Sequence, residues 1–193
     1  MKKVLAVLAV VGLASVSASA GGFGVFGAYM DTDDAGAGIG GGIKFKSDIS
    51  ESLAFELRGS YIANFDPDVD VELVYDDLVV IPVEADLLLT VPLGDQVQIY
   101  GGGGGGYYVL PEYEVNIAVP GSDQPDLDWD DVFGYFGVAG IQIKLSDTLS
   151  LFGEAQYRVI EIDKAEVDGV EEDVDPEVEL TGLGANAGLL FVW

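Results

Sequence analysis

The side chains able to do chemistry in this 193-residue chain are almost all carboxylates: 34 Asp and Glu stand against 8 Lys and Arg, with no His and no Cys. A Ser–His pair, a Cys nucleophile, a His-based metal centre and any disulfide are thereby excluded. Asp66, Asp68, Asp70 and Glu72, with Asp77 at the twelfth position, have the spacing of a calcium loop. Val71 stands where such a loop needs glycine, however, and no helical pattern flanks it. Asp126, Asp128, Asp130 and Asp131 surround Trp129, and a third acidic run spans Asp168 to Asp175. Solvated charge is the favoured reading of these runs. Weak Ca²⁺ or Mg²⁺ binding, bridging loops to one another or to lipopolysaccharide, is the alternative, and no other cofactor is expected. Glycosidase chemistry needs an apolar pocket that keeps one acid of a pair protonated, which acids at loop tips lack. The run Gly101 to Gly106 satisfies a G-x-G-x-x-G pattern, but without a following helix or a phosphate-binding lysine it reads as strand glycine.

A different set of charges lies inside apolar segments: Glu56, Glu84, Asp86 and Glu154, with the bases Lys44, Arg58, Lys144 and Arg158. What positions them is a pattern of short alternating segments. Leu53, Phe55, Leu57 and Tyr61 take one phase while Ala54, Glu56, Arg58 and Ser60 take the other, a period of two that a helix would scramble. The same alternation marks segments near 22–30, 36–46, 83–91, 97–110, 132–145, 151–159 and 180–193, eight in all. Pro82 places the start of the fourth near Val83, because proline cannot donate to a ladder. In the fifth, glycine occupies both phases, so its outer face is not assigned. Connections alternate between short turns and longer acidic stretches, apart from a tight first hairpin at 31–34, and most of the acids lie in the connections on one side.

The N-terminus reads as a secretory signal peptide: Lys2 and Lys3, an apolar run over 4–16, then Ala18-Ser19-Ala20 before Gly21. Domain organisation is therefore expected to be a cleaved leader at 1–20 and one domain at 21–193. Lys2 and Lys3 leave with the leader while all 34 acids remain, so nucleic acid is a poor partner. The expected fold is all-β, an eight-stranded antiparallel up-and-down transmembrane β-barrel, since β-structure in hydrocarbon must close on itself. In so narrow a barrel the strand charges should fill the lumen as ion pairs.

The Gly-aromatic strand from Ile99-Tyr100-Gly101 to Tyr107-Tyr108, and the ending Gly188-Leu189-Leu190-Phe191-Val192-Trp193, carry a family resemblance. The chain resembles the small outer-membrane barrels related to the transmembrane domain of outer membrane protein A and to outer membrane protein X. That resemblance implies a monomer in the bacterial outer membrane, surrounded by its lipid. It also implies that Phe191 and Trp193 act as an assembly signal read by the barrel-insertion machinery. The leading expectation is a non-enzymatic barrel serving envelope integrity and surface interaction through acidic extracellular loops. A narrow cation-preferring channel comes second, and a secreted soluble β-barrel holding a small apolar ligand third.

Overall fold

The structure, a computed structural model, describes residues 21–33, 36–66, 79–110, 127–129, 132–167 and 170–193. The leader, and Asp68, Asp70, Glu72 and Asp77 of the calcium-like spacing, lie outside the described residues. Among the described residues eleven strands run β1 (Gly21–Thr32), β2 (Gly36–Ser50), β3 (Leu53–Asp66), β4 (Ile81–Pro92), β5 (Val97–Val109), β6 (Leu127–Trp129), β7 (Val132–Lys144), β8 (Leu149–Val159), β9 (Glu161–Val167), β10 (Val170–Glu179) and β11 (Gly182–Val192). Eight of them close a barrel in the order β1-β11-β8-β7-β5-β4-β3-β2, every pair antiparallel. The seam joins β1 to β11, from Gly22 opposite Val192 to Thr32 opposite Gly182. Closure leaves the barrel without a free edge, as hydrocarbon requires.

The alternation works outward. Leu87, Leu89, Val91, Ile141, Leu151 and Leu183 are exposed on the outer surface, whereas the inward phase of the same strands is buried along most of its length and opens only toward the short turns. A soluble barrel holding an apolar ligand would reverse this, so that expectation is overturned. Aromatic rings mark both ends of the wall. Phe23 and Phe45 pack 5.1 Å apart near the short turns, and Tyr107 and Phe133 5.9 Å apart near the long connections. Phe133 and Tyr135 are 76% and 64% exposed, as befits rings at a membrane interface.

The glycine run acquires a register that its sequence withholds. Tyr100, Gly102, Gly104, Gly106 and Tyr108 face inward, opposite Thr90, Leu88, Asp86, Glu84 and Pro82 of β4. A Cβ at Gly102 or Gly104 would collide with the carbonyl oxygens of Leu87 and Ala85, so β4 and β5 approach too closely there for any other residue. Pro82 acts on one side only: the β3–β4 ladder ends at Gly59 opposite Val83, with a bridge from Ile62 to Val80 beyond it, whereas β4 itself starts at Ile81 and Pro82 stands paired with Tyr108 of β5. Gly94, at φ 113°, makes the tight β4–β5 turn.

The long connections depart from the expectation of plain loops. β6, β9 and β10 form a second, three-stranded sheet in the order β10-β9-β6, with β9 following β8 and β10 preceding β11. The acidic run near 168–175 is thus largely strand.

Candidate functional site

Inside the barrel the charged residues of four strands and the polar ones of two more converge. Lys44 comes from β2, Glu56 and Arg58 from β3, and Glu84 and Asp86 from β4. Tyr100 and Tyr108 come from β5, Glu154, Gln156 and Arg158 from β8, and Asn186 from β11. All are buried. Arg58 is the hub. Its Nη2 lies 2.6 Å from Glu56 Oε1 and donates to Asp86 Oδ2 at 2.6 Å, while Nη1 donates to Glu154 Oε2 at 3.0 Å. Glu154 is the counterpart hub, also accepting from Lys44 Nζ and, at 2.8 Å, from the Tyr100 hydroxyl. Lys44 Nζ reaches Glu56 Oε2 at 3.1 Å and sits 3.6 Å above the Phe152 ring. Nearer the long connections, Arg158 Nε donates to Glu84 Oε1 at 2.7 Å, and the Tyr108 hydroxyl donates to the same oxygen at 2.9 Å. Arg158 Nη2 and Asn186 Nδ2 both donate to Gln156 Oε1, at 2.5 and 2.8 Å.

Local sequence explains how so many long side chains fit. Across each ladder an inward glycine tends to stand beside a large group. Gly24 pairs with Lys44, Gly104 with Asp86, Gly106 with Glu84, Gly140 with Glu154, and Gly184 with Gln156. A Cβ at Gly140 would lie 2.5 Å from Tyr100 Cζ, one at Gly24 2.9 Å from Lys44 Cγ, and one at Gly184 would meet Arg158 Nη1. Small-opposite-large filling of a narrow barrel therefore accounts for the inward glycines of β1, β2, β5, β7 and β11, which stand beside the bulky inward phases of β3, β4 and β8 or beside one another's larger residues.

Seven of the eight charges expected in the lumen are brought together; Lys144 is the correction. It holds the inward phase but is the last residue of β7, 48% exposed at the rim, and pairs with Asp147 at 2.8 Å. That hydrogen bond and charge hold the Asp147 carboxyl, in the β7–β8 turn, below the usual carboxylate range. Lys46 is the interior base that sequence reasoning missed. Its Nζ donates to Gln142 Oε1 at 3.3 Å, and Gln142 Nε2 donates to Ser150 Oγ at 3.1 Å. The repeat of two from Lys44 to Lys46 was the available signal. Tyr100 and Tyr108 were missed because glycines hid the phase of β5.

Among the described residues, no group of three or more acids has the arrangement of a metal site. Asp66 is the last residue of β3, and all four remaining calcium-like positions lie outside the described residues. Phe191 and Trp193 lie exposed at the short-turn end, where the Trp193 amide donates to the Gly21 carbonyl at 3.2 Å.

A closed eight-stranded wall, apolar outside and charged within, defines a small bacterial outer-membrane β-barrel. The chain belongs to the outer membrane protein beta-barrel domain family, whose model matches residues 4–191. Among solved structures it is similar to OprG from Pseudomonas aeruginosa, at 18% identity and a TM-score of 0.69, covering 91% of this chain and 96% of that one. Neisserial surface protein A is similar at 13% identity and 0.59, covering 90% and 97%. So is Ail of Yersinia pestis in complex with sucrose octasulfate, at 12% and 0.54, covering 92% and 100%. No curated protein sequence matches the chain. At such identities these structures speak for the fold alone.

Proposed function

We propose that the protein, exported by cleavage of residues 1–20, is a closed, non-enzymatic outer-membrane barrel that acts at the cell surface through its acidic extracellular extension. The observation that carries this reading is the register of the second sheet. Asp128 of β6 stands opposite Glu166 of β9, and Glu166 stands opposite Glu171 of β10, so three acids occupy one row across three strands. Glu161 likewise faces Glu179, while Asp173 faces Lys164. Like charges directly opposite each other destabilise a sheet. The row is therefore suited to counter-ions from outside, and divalent cations, which would also bridge to anionic lipopolysaccharide, match it in charge. The interior supports the non-enzymatic part. Its acids are buried and each is held in an ion pair with Lys44, Arg58 or Arg158.

The test is calcium titration of the purified barrel in lipid vesicles, read by proteolytic protection of the 161–179 hairpin. Protection should rise with Ca²⁺ or Mg²⁺ and be reduced in Glu166→Gln/Glu171→Gln. Equal cleavage with calcium and with a chelator would sink the divalent part. Inaccessibility of the hairpin on intact cells would sink the surface assignment.

A further inference from the structure

The interior is stratified, and its strata differ in what they can offer a passing ion. Next to the short turns lies a cavity of about 220 Å³ lined in part by Gln96, Gln98, Gln142 and Ser150. From there polar groups continue inward. Gln142 holds Lys46, Lys46 stands 6.0 Å from the Tyr100 ring, and the Tyr100 hydroxyl reaches Glu154 in the ion-pair tier. That tier keeps unused bonding capacity, since Asp86 Oδ1, Gln156 Nε2 and Arg158 Nη1 have no hydrogen-bond partner among the described residues. Its pairings are also degenerate: Arg58 touches three acids at 3.0 Å or less, and Lys44 touches two. An ion could be handed between such groups.

Beyond Arg158 and Glu84, toward the long connections, the character changes. Met30 near the end of β1, Ile62 near the end of β3, Val80 before β4, Leu110 after β5, Ile160 after β8 and Leu180 before β11 are buried in one packed cluster with Tyr108. The Tyr108 hydroxyl is turned away onto Glu84, and that of Thr181 is used on the Ile160 backbone. An ion entering this tier would shed its water and gain no ligand, and apolar constrictions of this kind block permeation by staying dry.

We propose that this apolar tier, rather than the ion-pair cluster, is the barrier that keeps the barrel closed to ions. The inference rests on the closed-barrel reading above and locates the barrier within it. A charged plug alone would leave an ion-exchanging path, whereas a ring drawn from six strand ends, in which the hydroxyls of Thr32, Tyr108 and Thr181 are already engaged by Gly36, Glu84 and Ile160, does not.

The experiment is planar-bilayer conductance of the full barrel in potassium chloride, each variant first checked for folding by its heat-modifiable gel shift. The unmodified protein and Glu154→Gln, which alters only the ion-pair tier, should show no discrete openings. Ile62→Thr/Ile160→Thr, which keeps β-branching but wets the apolar tier, should show them. Met30→Gln serves as a second opening variant should the double substitution not fold. Folded tier variants as silent as the unmodified protein, or openings in Glu154→Gln, would overturn the inference. Steady current through the unmodified protein would instead overturn the closed-barrel reading itself, and this inference with it.

Discussion

Replacing Arg58 by methionine removes the one cation among the described residues that touches Glu56, Asp86 and Glu154 together, at 2.6, 2.6 and 3.0 Å. Lys44 still reaches Glu56 and Glu154, but Asp86 has no other base among its described ion pairs. Breaking a buried pair by deleting one partner costs roughly 3–5 kcal/mol, because the remaining charge stays desolvated. With a urea slope of about 2 kcal/mol per molar, the unfolding midpoint in lipid vesicles should fall by roughly 2 M. A double-mutant cycle with Asp86→Asn separates this coupling from lost packing against Phe136, whose ring lies 5.5 Å from Arg58 Cζ. The coupling should be favourable by about 0.5–3 kcal/mol, and the double variant should be less destabilised than the two singles combined. If Arg58→Met lowers the unfolding free energy by less than about 0.5 kcal/mol, or the cycle gives no coupling, the cluster does not stabilise the barrel as argued.

Gly140→Ala should cost about 1–3 kcal/mol by displacing the Tyr100 ring from Glu154. Gly153→Ala, where a Cβ meets nothing within 4 Å, should be within about 0.5 kcal/mol of the parent, and urea titration of both checks the pair. Phe191→Ala/Trp193→Ala should slow assisted insertion into vesicles while Trp193→Phe retains it; equal rates for all three would dismiss the assembly signal. Lys144→Ala should return the Asp147 carboxyl toward its ordinary titration, followed by NMR. Since the folded value is depressed, any stabilisation from this pair is present above the unfolded carboxylate value and lost as pH falls through the folded one. Salt should erase it, because both groups are substantially exposed.

Much of the wall was legible because its signal is a strict period of two. Leu53 to Tyr61 and Leu151 to Val159 could not be mistaken for helix, and Pro82 marked where a ladder falters. The identity of the lumen charges followed from the same phase. Phase does not give height along a strand, however, and that is why Lys144 was placed inside although it lies at the rim. β5 was illegible for another reason: glycine in both phases carries no face, and only pairing with β4 and β7 turns Tyr100 and Tyr108 inward. The second sheet was hidden by its own chemistry. In Val170 to Glu179 the acids outnumber the β-branched residues, so the segment reads as solvated loop, and its strands show only once β9 and β10 pair.

The seam between β1 and β11 bears on the order in which the molecule can be made. The two strands that complete the wall are the farthest apart along the sequence of all those in the barrel, matched in register from Gly22 to Thr32. Neither can satisfy its outer row of backbone groups locally, so while the chain is being delivered both edges remain reactive toward foreign strands. Insertion into lipid cannot be completed piecemeal by successive hairpins, because a partial sheet exposes that row to hydrocarbon. Delivery of β11 is thus the step that commits the whole sheet, and a block there leaves an open, aggregation-prone ribbon rather than a smaller barrel.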